Sequence, residues 1–183
     1  QKDTTITARY TKEAISFIKK NTKKPFFLYL PHTAVHLPLV PGKKFKGTSK
    51  GGAYGDWVQE IDWSMGEIFK ALKEVGVDEN TLVFFTSDNG SARDKQGSNL
   101  PLRCRKDRTD KGGMRVPCVM RWPGKIPAGS SSDVHSAAAA WYRYCTSTAP
   151  TLYLYIPVLQ IYCTCTVHAL YLPVSYTHLR AHE

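Results

Sequence analysis

The chain has 183 residues, enough for about one domain with a real core, and carries a formal net charge of +10. Its densest basic groups, Lys19, Lys20, Lys23, Lys24 and then Lys43, Lys44, Lys46, Lys50, lack a stacking pattern of aromatics and any DNA- or RNA-binding motif, which sets nucleic acid aside in favour of a solvated face or one that attracts an anionic substrate. No window reaches the roughly 20 apolar residues of a membrane span, and Cys163 and Cys165 stand too close for a zinc knuckle. The chain opens at Gln1 rather than Met, so we expect more sequence upstream.

The first predicted element is a helix over Thr5–Asn21, with Ala8, Ala14 or Ile15, and Ile18 on one face and lysines near its C-terminus, where the macrodipole favours them. Pro25 stops it. Phe26–Leu30 reads as a short buried strand closed by Pro31. From His32 to Gly52, prolines and a Lys/Gly/Ser-rich stretch predict a loop just past a strand end, where function often resides. Trp57, Ile61, Met65, Ile68, Leu72 and Val75 recur at helical spacing, and Gly76 supplies the stop. Thr81–Thr86 is too short and too evenly apolar for an amphipathic helix and predicts a strand buried on both faces. A polar loop over Ser91–Gly113 precedes a last strand, Val116–Trp122, closed by Pro123-Gly124. Strand, helix, strand is a βαβ pattern of an α/β protein, whose parallel sheet keeps ligands outside the carboxyl ends of its strands.

After Val134 the character changes. Only Arg143, Arg180 and Glu183 are charged there, Ala137–Ala140 are consecutive alanines, and no helix or strand period persists. We therefore expect residues 1–134 to be one unit and 135–183 an unassigned tail, for which a genuine hydrophobic β-rich segment competes with the favoured reading of frame-shifted or non-native sequence.

Three segments carry chemistry. Leu30–Pro38 holds His32 and His36 just past a strand. Ser87-Asp88-Asn89-Gly90 closes the next strand, and its Asp carboxylate and Asn carbonyl are hard oxygen donors suited to Ca²⁺ or Mg²⁺. Leu102–Pro117 contains Lys106 and Gly112-Gly113. Each has a plainer reading: Asn89-Gly90 as a turn, Lys106 among Arg103, Arg105 and Arg108 as a solvated charge run, Gly112-Gly113 as a tight bend. Jointly they bring an imidazole, a metal-binding pair and an ammonium to one rim.

From Pro25 to Val134 these residues resemble the sulfatase family, of the arylsulfatase and N-acetylgalactosamine-6-sulfatase type, within the alkaline-phosphatase-like superfamily. The resemblance rests on the Phe26-Phe-Leu-Tyr29 strand, His36-Leu-Pro38, Thr86-Ser-Asp-Asn-Gly90, Lys106 six residues before Gly112-Gly-Met-Arg-Val-Pro117, and Arg121-Trp-Pro-Gly-Lys-Ile-Pro-Ala-Gly129. It implies an α/β alkaline-phosphatase-like sandwich, with a mixed, mostly parallel sheet flanked by helices, present only as a fragment. Residues 1–134 would then be the C-terminal part of the catalytic domain. It makes Asp88 and Asn89 ligands of a divalent cation, normally Ca²⁺, sets His36 beside the bridging oxygen of a sulfate ester and Lys106 on the sulfate oxygens, and gives His32 no role beyond a structural or exposed one.

The family's nucleophile is a formylglycine made from Cys in a Cys-x-Pro-Ser-Arg type motif, expected upstream. Cys104–Arg108 has the Cys-to-Arg spacing but carries Lys106 for Pro and Asp107 for Ser, and Cys145-Thr-Ser-Thr-Ala lacks both Pro and Arg. The family's paired aspartates and second Lys/His group also have no counterpart. The implied substrate is a sulfated carbohydrate or aryl sulfate, and the implied location secreted, periplasmic or lysosomal. The alternatives are a phosphodiesterase or phosphonate hydrolase of the same superfamily, and a non-catalytic basic module that binds polyanions.

Overall fold

The computed structural model describes residues 3–92, 97–132, 160–163 and 169–170. Helix α1 spans Ile6–Lys20, with Thr5 and Asn21 as its caps. Asn21 closes it: its side-chain amide donates to the Phe17 carbonyl at 2.8 Å, and Lys19 and Lys20 occupy the last turn. The buried stripe is Thr7, Thr11, Ala14 and Ile18, whereas Ala8, expected on that face, is exposed. Threonines can take the stripe because their hydroxyls are satisfied. Thr11 Oγ1 donates to the Thr7 carbonyl at 2.7 Å and shares a hydrogen bond with Ser64 Oγ at 2.6 Å, while the Trp57 indole N–H donates to Thr7 Oγ1 at 3.0 Å. A polar seam thus joins α1 to the next helix at no cost in unpaired buried groups.

Strand β1 is Phe27–Tyr29, and α2 is Gly52–Glu74. The long helix starts a turn and more before Trp57, the first residue of the apolar repeat. Two buried carboxylates in that early part explain why. Asp56 accepts the backbone N–H groups of Gly47 and Ser49, both at 2.8 Å, and Glu60 accepts that of Gly42 at 2.7 Å. The N–H of Gly47, then that of Ser49, holds the Asp56 carboxyl below its ordinary range, whereas burial raises that of Glu60. The loop after β1 is strapped to α2 by these bonds. At the other end Gly76 adopts φ +73° and the Val77 N–H reaches back to the Leu72 carbonyl at 3.1 Å, the Gly-closed C-terminus that the sequence suggests.

Asp78–Asn80 forms one 3₁₀ turn, β2 is Thr81–Thr86, α3 is the single turn Lys111–Met114, β3 is Cys118–Arg121, and β4 (Gln160–Cys163) and β5 (Ala169–Leu170) follow in the tail. The strand order is β3-β2-β4-β1-β5. β2 pairs antiparallel with β3 and β4, β1 antiparallel with β4, and only β1–β5 is parallel. The sheet is mixed, as expected, but the mostly parallel character does not appear in the described pairings. The reason is local: β3 returns beside β2, and β4 runs opposite to both neighbours. β1 and β2 still point the same way, since each opposes β4, and Tyr29 and Phe84 both pair with Gln160. The remaining tail lies outside the described residues.

The core lies between the sheet and the α1/α2 pair: Ala14, Ile18, Phe26, Leu28, Leu30, Met65, Ile68, Leu72 and Val83 form one cluster. Burying each large apolar side chain contributes about 1.5–3 kcal/mol. β2 is not buried on both faces as its sequence suggests. Thr81 and Val83 are buried, while Leu82 and Phe84 are half-covered, because the described helices lie over one face only. At the sheet edge, Arg121 grips Asp78 with two nitrogens at 2.7 and 2.8 Å and stacks over the Phe69 ring at 4.8 Å. Arg121→Lys keeps the charge but loses the planar fork, and is expected to lower unfolding free energy in urea by about 1 kcal/mol. An unchanged midpoint would show that the fork contributes nothing. No described helix is long and apolar enough to cross a membrane.

Candidate active site

The Asp88-Asn89-Gly90 corner leaves the end of β2 with Asp88 exposed, Asn89 half-buried and Gly90 buried. Ser87 Oγ donates to the Asn89 carbonyl at 2.9 Å, which tightens the bend. The Lys106 segment is tied to this corner by main chain. The Gly90 N–H donates to the Gly113 carbonyl at 2.9 Å, and the Lys106 N–H donates to the Ser91 carbonyl at 3.1 Å. Gly90 and Gly112 meet so closely that a Cβ on Gly90 would collide with the Gly112 carbonyl oxygen.

Gly112 and Gly113 are themselves a platform. A Cβ on Gly112 would strike the carbonyls of Arg103 and Cys104, and one on Gly113 those of Arg105 and Arg108. The loop therefore wraps the two glycines with its carbonyls turned inward. Cys104 (φ 66°) and Asp107 (φ 72°), both in the left-handed region, bend the chain on either side of Arg105-Lys106. Such conformations persist where neighbouring bonds over-determine them.

Asn99 is a residue that the sequence reading missed. Its Oδ1 accepts the Ser91 N–H at 2.7 Å, and its Nδ2 donates to the carbonyls of Ser91 and Cys104, both at 3.1 Å. One side chain thus joins the corner to the lysine loop. In sequence, Gly97-Ser-Asn-Leu-Pro101 signals only a turn, with nothing to indicate what Asn99 holds.

His36 is exposed in the loop after β1. β1 and β2 run in one direction with β4 between them, roughly 10 Å apart, so that loop and the corner leave the sheet at the same end. Its backbone N–H donates to the Thr33 carbonyl at 3.0 Å, and Nδ1 lies 2.8 Å from the Leu37 carbonyl oxygen. A carbonyl only accepts, so this contact assigns the proton to Nδ1 and leaves Nε2 without a hydrogen-bond partner among the described residues. His32, by contrast, is buried against Tyr10, with ring centroids 6.0 Å apart, and takes the structural role.

The donor chemistry of Asp88 and Asn89 fits a hard divalent cation, which takes about six to eight oxygens when it is Ca²⁺. Two residues do not fill such a shell. No group of three or more His, Cys, Asp or Glu is placed to hold a metal among the described residues. Nor does any hydrogen bond or ion pair join the side chains of His36, Asp88, Asn89 and Lys106 to one another among those residues. What the fold brings together is the main chain of the Asp88-Asn89 corner and that of the Lys106 loop.

The model of the family described as "Sulfatase" matches residues 2–143. The chain belongs to the sulfatase family. It is 48% identical over 133 residues to N-acetylgalactosamine-6-sulfatase of Canis lupus familiaris, covering 69% of this chain and 26% of that protein. It is also 41% identical over 136 residues to steryl-sulfatase of Homo sapiens, covering 70% and 23%. The crystal structure of Ps i-CgsB in complex with k-i-k-neocarrahexaose superposes with a TM-score of 0.64 at 37% identity, covering 68% of this chain and 29% of that one. This sulfatase sequence thus spans about a quarter of the length of the relatives it matches, and these structural neighbours are of the alkaline-phosphatase-like kind.

Proposed function

We propose that this chain is part of an enzyme that hydrolyses sulfate monoesters, with Asp88 and Asn89 holding a divalent cation, normally Ca²⁺, Lys106 on the sulfate oxygens and His36 at the leaving oxygen. The observation that carries this reading is the pair of main-chain bonds, Gly90 to Gly113 and Lys106 to Ser91, that hold the lysine loop against the Asp88-Asn89 corner. A bare turn does not require that neighbour.

The chemistry follows from charge. As the S–O bond to the alcohol breaks, negative charge builds on the sulfate and leaving oxygens, and preorganised cationic groups there lower the barrier. The bound cation would supply the Lewis-acid share of that stabilisation. Lys106 supplies an ammonium carried on the strapped loop. His36, with Nδ1 committed to the Leu37 carbonyl, presents Nε2, which gives a proton to the departing alkoxide or phenoxide when the ring is charged. The nucleophile, a formylglycine, would come from outside this chain. The substrates that fit are sulfated carbohydrates or aryl sulfates.

Two outcomes test this. The purified 183-residue chain is expected to show no turnover of an aryl sulfate, because no Cys in it stands in a Cys-x-Pro-Ser-Arg setting. Ca²⁺-dependent hydrolysis by that chain would overturn the assignment of the nucleophile. In NMR titrations, Ca²⁺ is expected to shift the amides around Asp88 and Asn89, and inorganic sulfate those around Lys106. Asp88→Ala should remove the first set, and Ca²⁺ shifts that persist unchanged in Asp88→Ala would sink the metal assignment.

A further inference from the structure

Where an ammonium stands depends on what holds its side chain or, failing that, on the main chain that carries it. The Lys106 side chain is half-buried and makes no hydrogen bond or ion pair among the described residues. The loop backbone therefore sets its place. That backbone is bent at Cys104, whose φ of 66° lies in the left-handed region that a side chain disfavours. Two bonds hold the bend against the corner. The Lys106 N–H donates to the Ser91 carbonyl at 3.1 Å, and the Cys104 carbonyl accepts from Asn99 Nδ2, also at 3.1 Å.

Asn99 holds the corner as well. Its Oδ1 accepts the Ser91 N–H at 2.7 Å, and Nδ2 donates to the Ser91 carbonyl at 3.1 Å. Ser91 follows the corner directly, and its carbonyl receives both Asn99 and Lys106, for which its two lone pairs suffice. An amide flip is excluded, because the Ser91 N–H only donates and both carbonyls only accept. The arrangement needs one acceptor and two N–H donors on a short side chain. A carboxylate of the same shape would oppose two carbonyls, and a hydroxyl has a single proton to give. Both N–H groups of the Asn99 amide are spent on main chain, which leaves the residue no donor for a substrate.

We infer that Asn99 is a positioning residue for sulfate ester hydrolysis: its amide sets where the Lys106 ammonium stands relative to the Asp88-Asn89 corner, so that cation and ammonium meet the oxygens of one sulfate group. This rests on the placement of that sulfate at Lys106. Preorganised charges act only where the oxygens are, so a misplacement of about 1 Å between the two segments costs binding and rate.

Inorganic sulfate and Ca²⁺, titrated separately into the 183-residue chain and followed by NMR, report the two sites one at a time. Asn99→Leu keeps the volume and removes all three bonds. It is expected to weaken sulfate at Lys106 by about tenfold and to change Ca²⁺ affinity at Asp88 and Asn89 by less than about twofold, with an unchanged circular dichroism spectrum. Asn99→Gln restores the acceptor and both donors on a longer arm, and should recover part of the sulfate affinity. Mn²⁺ in place of Ca²⁺ reads the geometry directly: its paramagnetic broadening of the Lys106 side-chain resonances should weaken in Asn99→Leu, while that at the corner persists. Sulfate bound equally by the parent and Asn99→Leu overturns the role. So does equal loss of sulfate and Ca²⁺, which marks a loop that has come apart rather than one that has shifted. A parent that shows no sulfate shifts at Lys106 sinks the ester-site reading instead. The Mn²⁺ measurement then decides Asn99 by itself, and Lys106 broadening that is the same in the parent and Asn99→Leu overturns its assignment.

Discussion

Gly90→Ala is expected to disconnect the Asp88-Asn89 corner from the lysine loop and to destabilise the chain by about 2–4 kcal/mol, an overpacking cost joined to lost buried hydrogen bonds. Gly90 does not have the left-handed φ that excludes alanine; it is space that forbids the side chain. A Cβ there would run into the Gly112 carbonyl oxygen and lie 2.9 Å from its carbon and 3.1 Å from Asn99 Oδ1. A flexible side chain could swing aside; these are main-chain atoms and an amide already committed to three hydrogen bonds. The relief available is separation of the two segments, which breaks the Gly90–Gly113 and Lys106–Ser91 bonds.

Urea unfolding gives the free energy, and amide hydrogen exchange at Gly90 and Lys106 shows whether the loss is local. Gly124→Ala is the comparison, since Gly124 has φ +72° but nothing within 4 Å of its Cβ position, so alanine there costs only about 1 kcal/mol of backbone strain. If Gly90→Ala costs no more than Gly124→Ala and both amides stay protected, the two segments are not interlocked as described.

The parts of this molecule that were legible in its sequence are those decided by neighbours along the chain. β2 matches its predicted limits, Thr81–Thr86, because an unbroken apolar run meets a turn dipeptide. α1 differs by one residue at each end. The start of α2 was not legible: Gly52-Ala-Tyr-Gly55 has no apolar period, and what fixes that turn is the capture of a loop by Asp56 and Glu60. β3 is shorter than Val116–Trp122 at both ends. Pro117 has no N–H for the ladder, and its carbonyl instead accepts the Thr86 hydroxyl at 3.1 Å. Strand neighbours were beyond reach, since nothing local in Gln160–Cys163 names β1 and β2 as its partners. The candidate site divides in the same way. The resemblance to the sulfatase family singled out His36, Asp88, Asn89 and Lys106, but the clamp made by Asn99 and the two glycine contacts exists only once distant segments are folded together.

His32 supplies the second large expected effect, a loss of about 3 kcal/mol of stability between pH 6.5 and pH 4. The ring is 7% exposed, and neither nitrogen has a hydrogen-bond partner among the described residues. Burial penalises the charged form and lowers its pKa from 6.5 to about 4. The folded value lies below the unfolded one, so between them the unfolded chain binds the extra proton. Stability is therefore full above about pH 6.5, declines as pH falls and levels off near pH 4, with a limiting slope of about 1.4 kcal/mol per pH unit. Asp56 and Asp78, whose carboxyls hydrogen bonds hold below the ordinary range, and Glu60, whose carboxyl burial raises, act equally in any His32 variant. The decisive quantity is thus the difference in unfolding free energy between the parent and His32→Phe, measured in urea from pH 7 to pH 4.5. Phenylalanine keeps a ring against Tyr10 and removes two desolvated, unpaired nitrogens, so at pH 7 the variant should be as stable as the parent or more so. Its advantage should widen as the pH falls. A difference that stays flat across the range would mean that His32 is hydrated or paired in solution, and that the space beside Tyr10 is open to water.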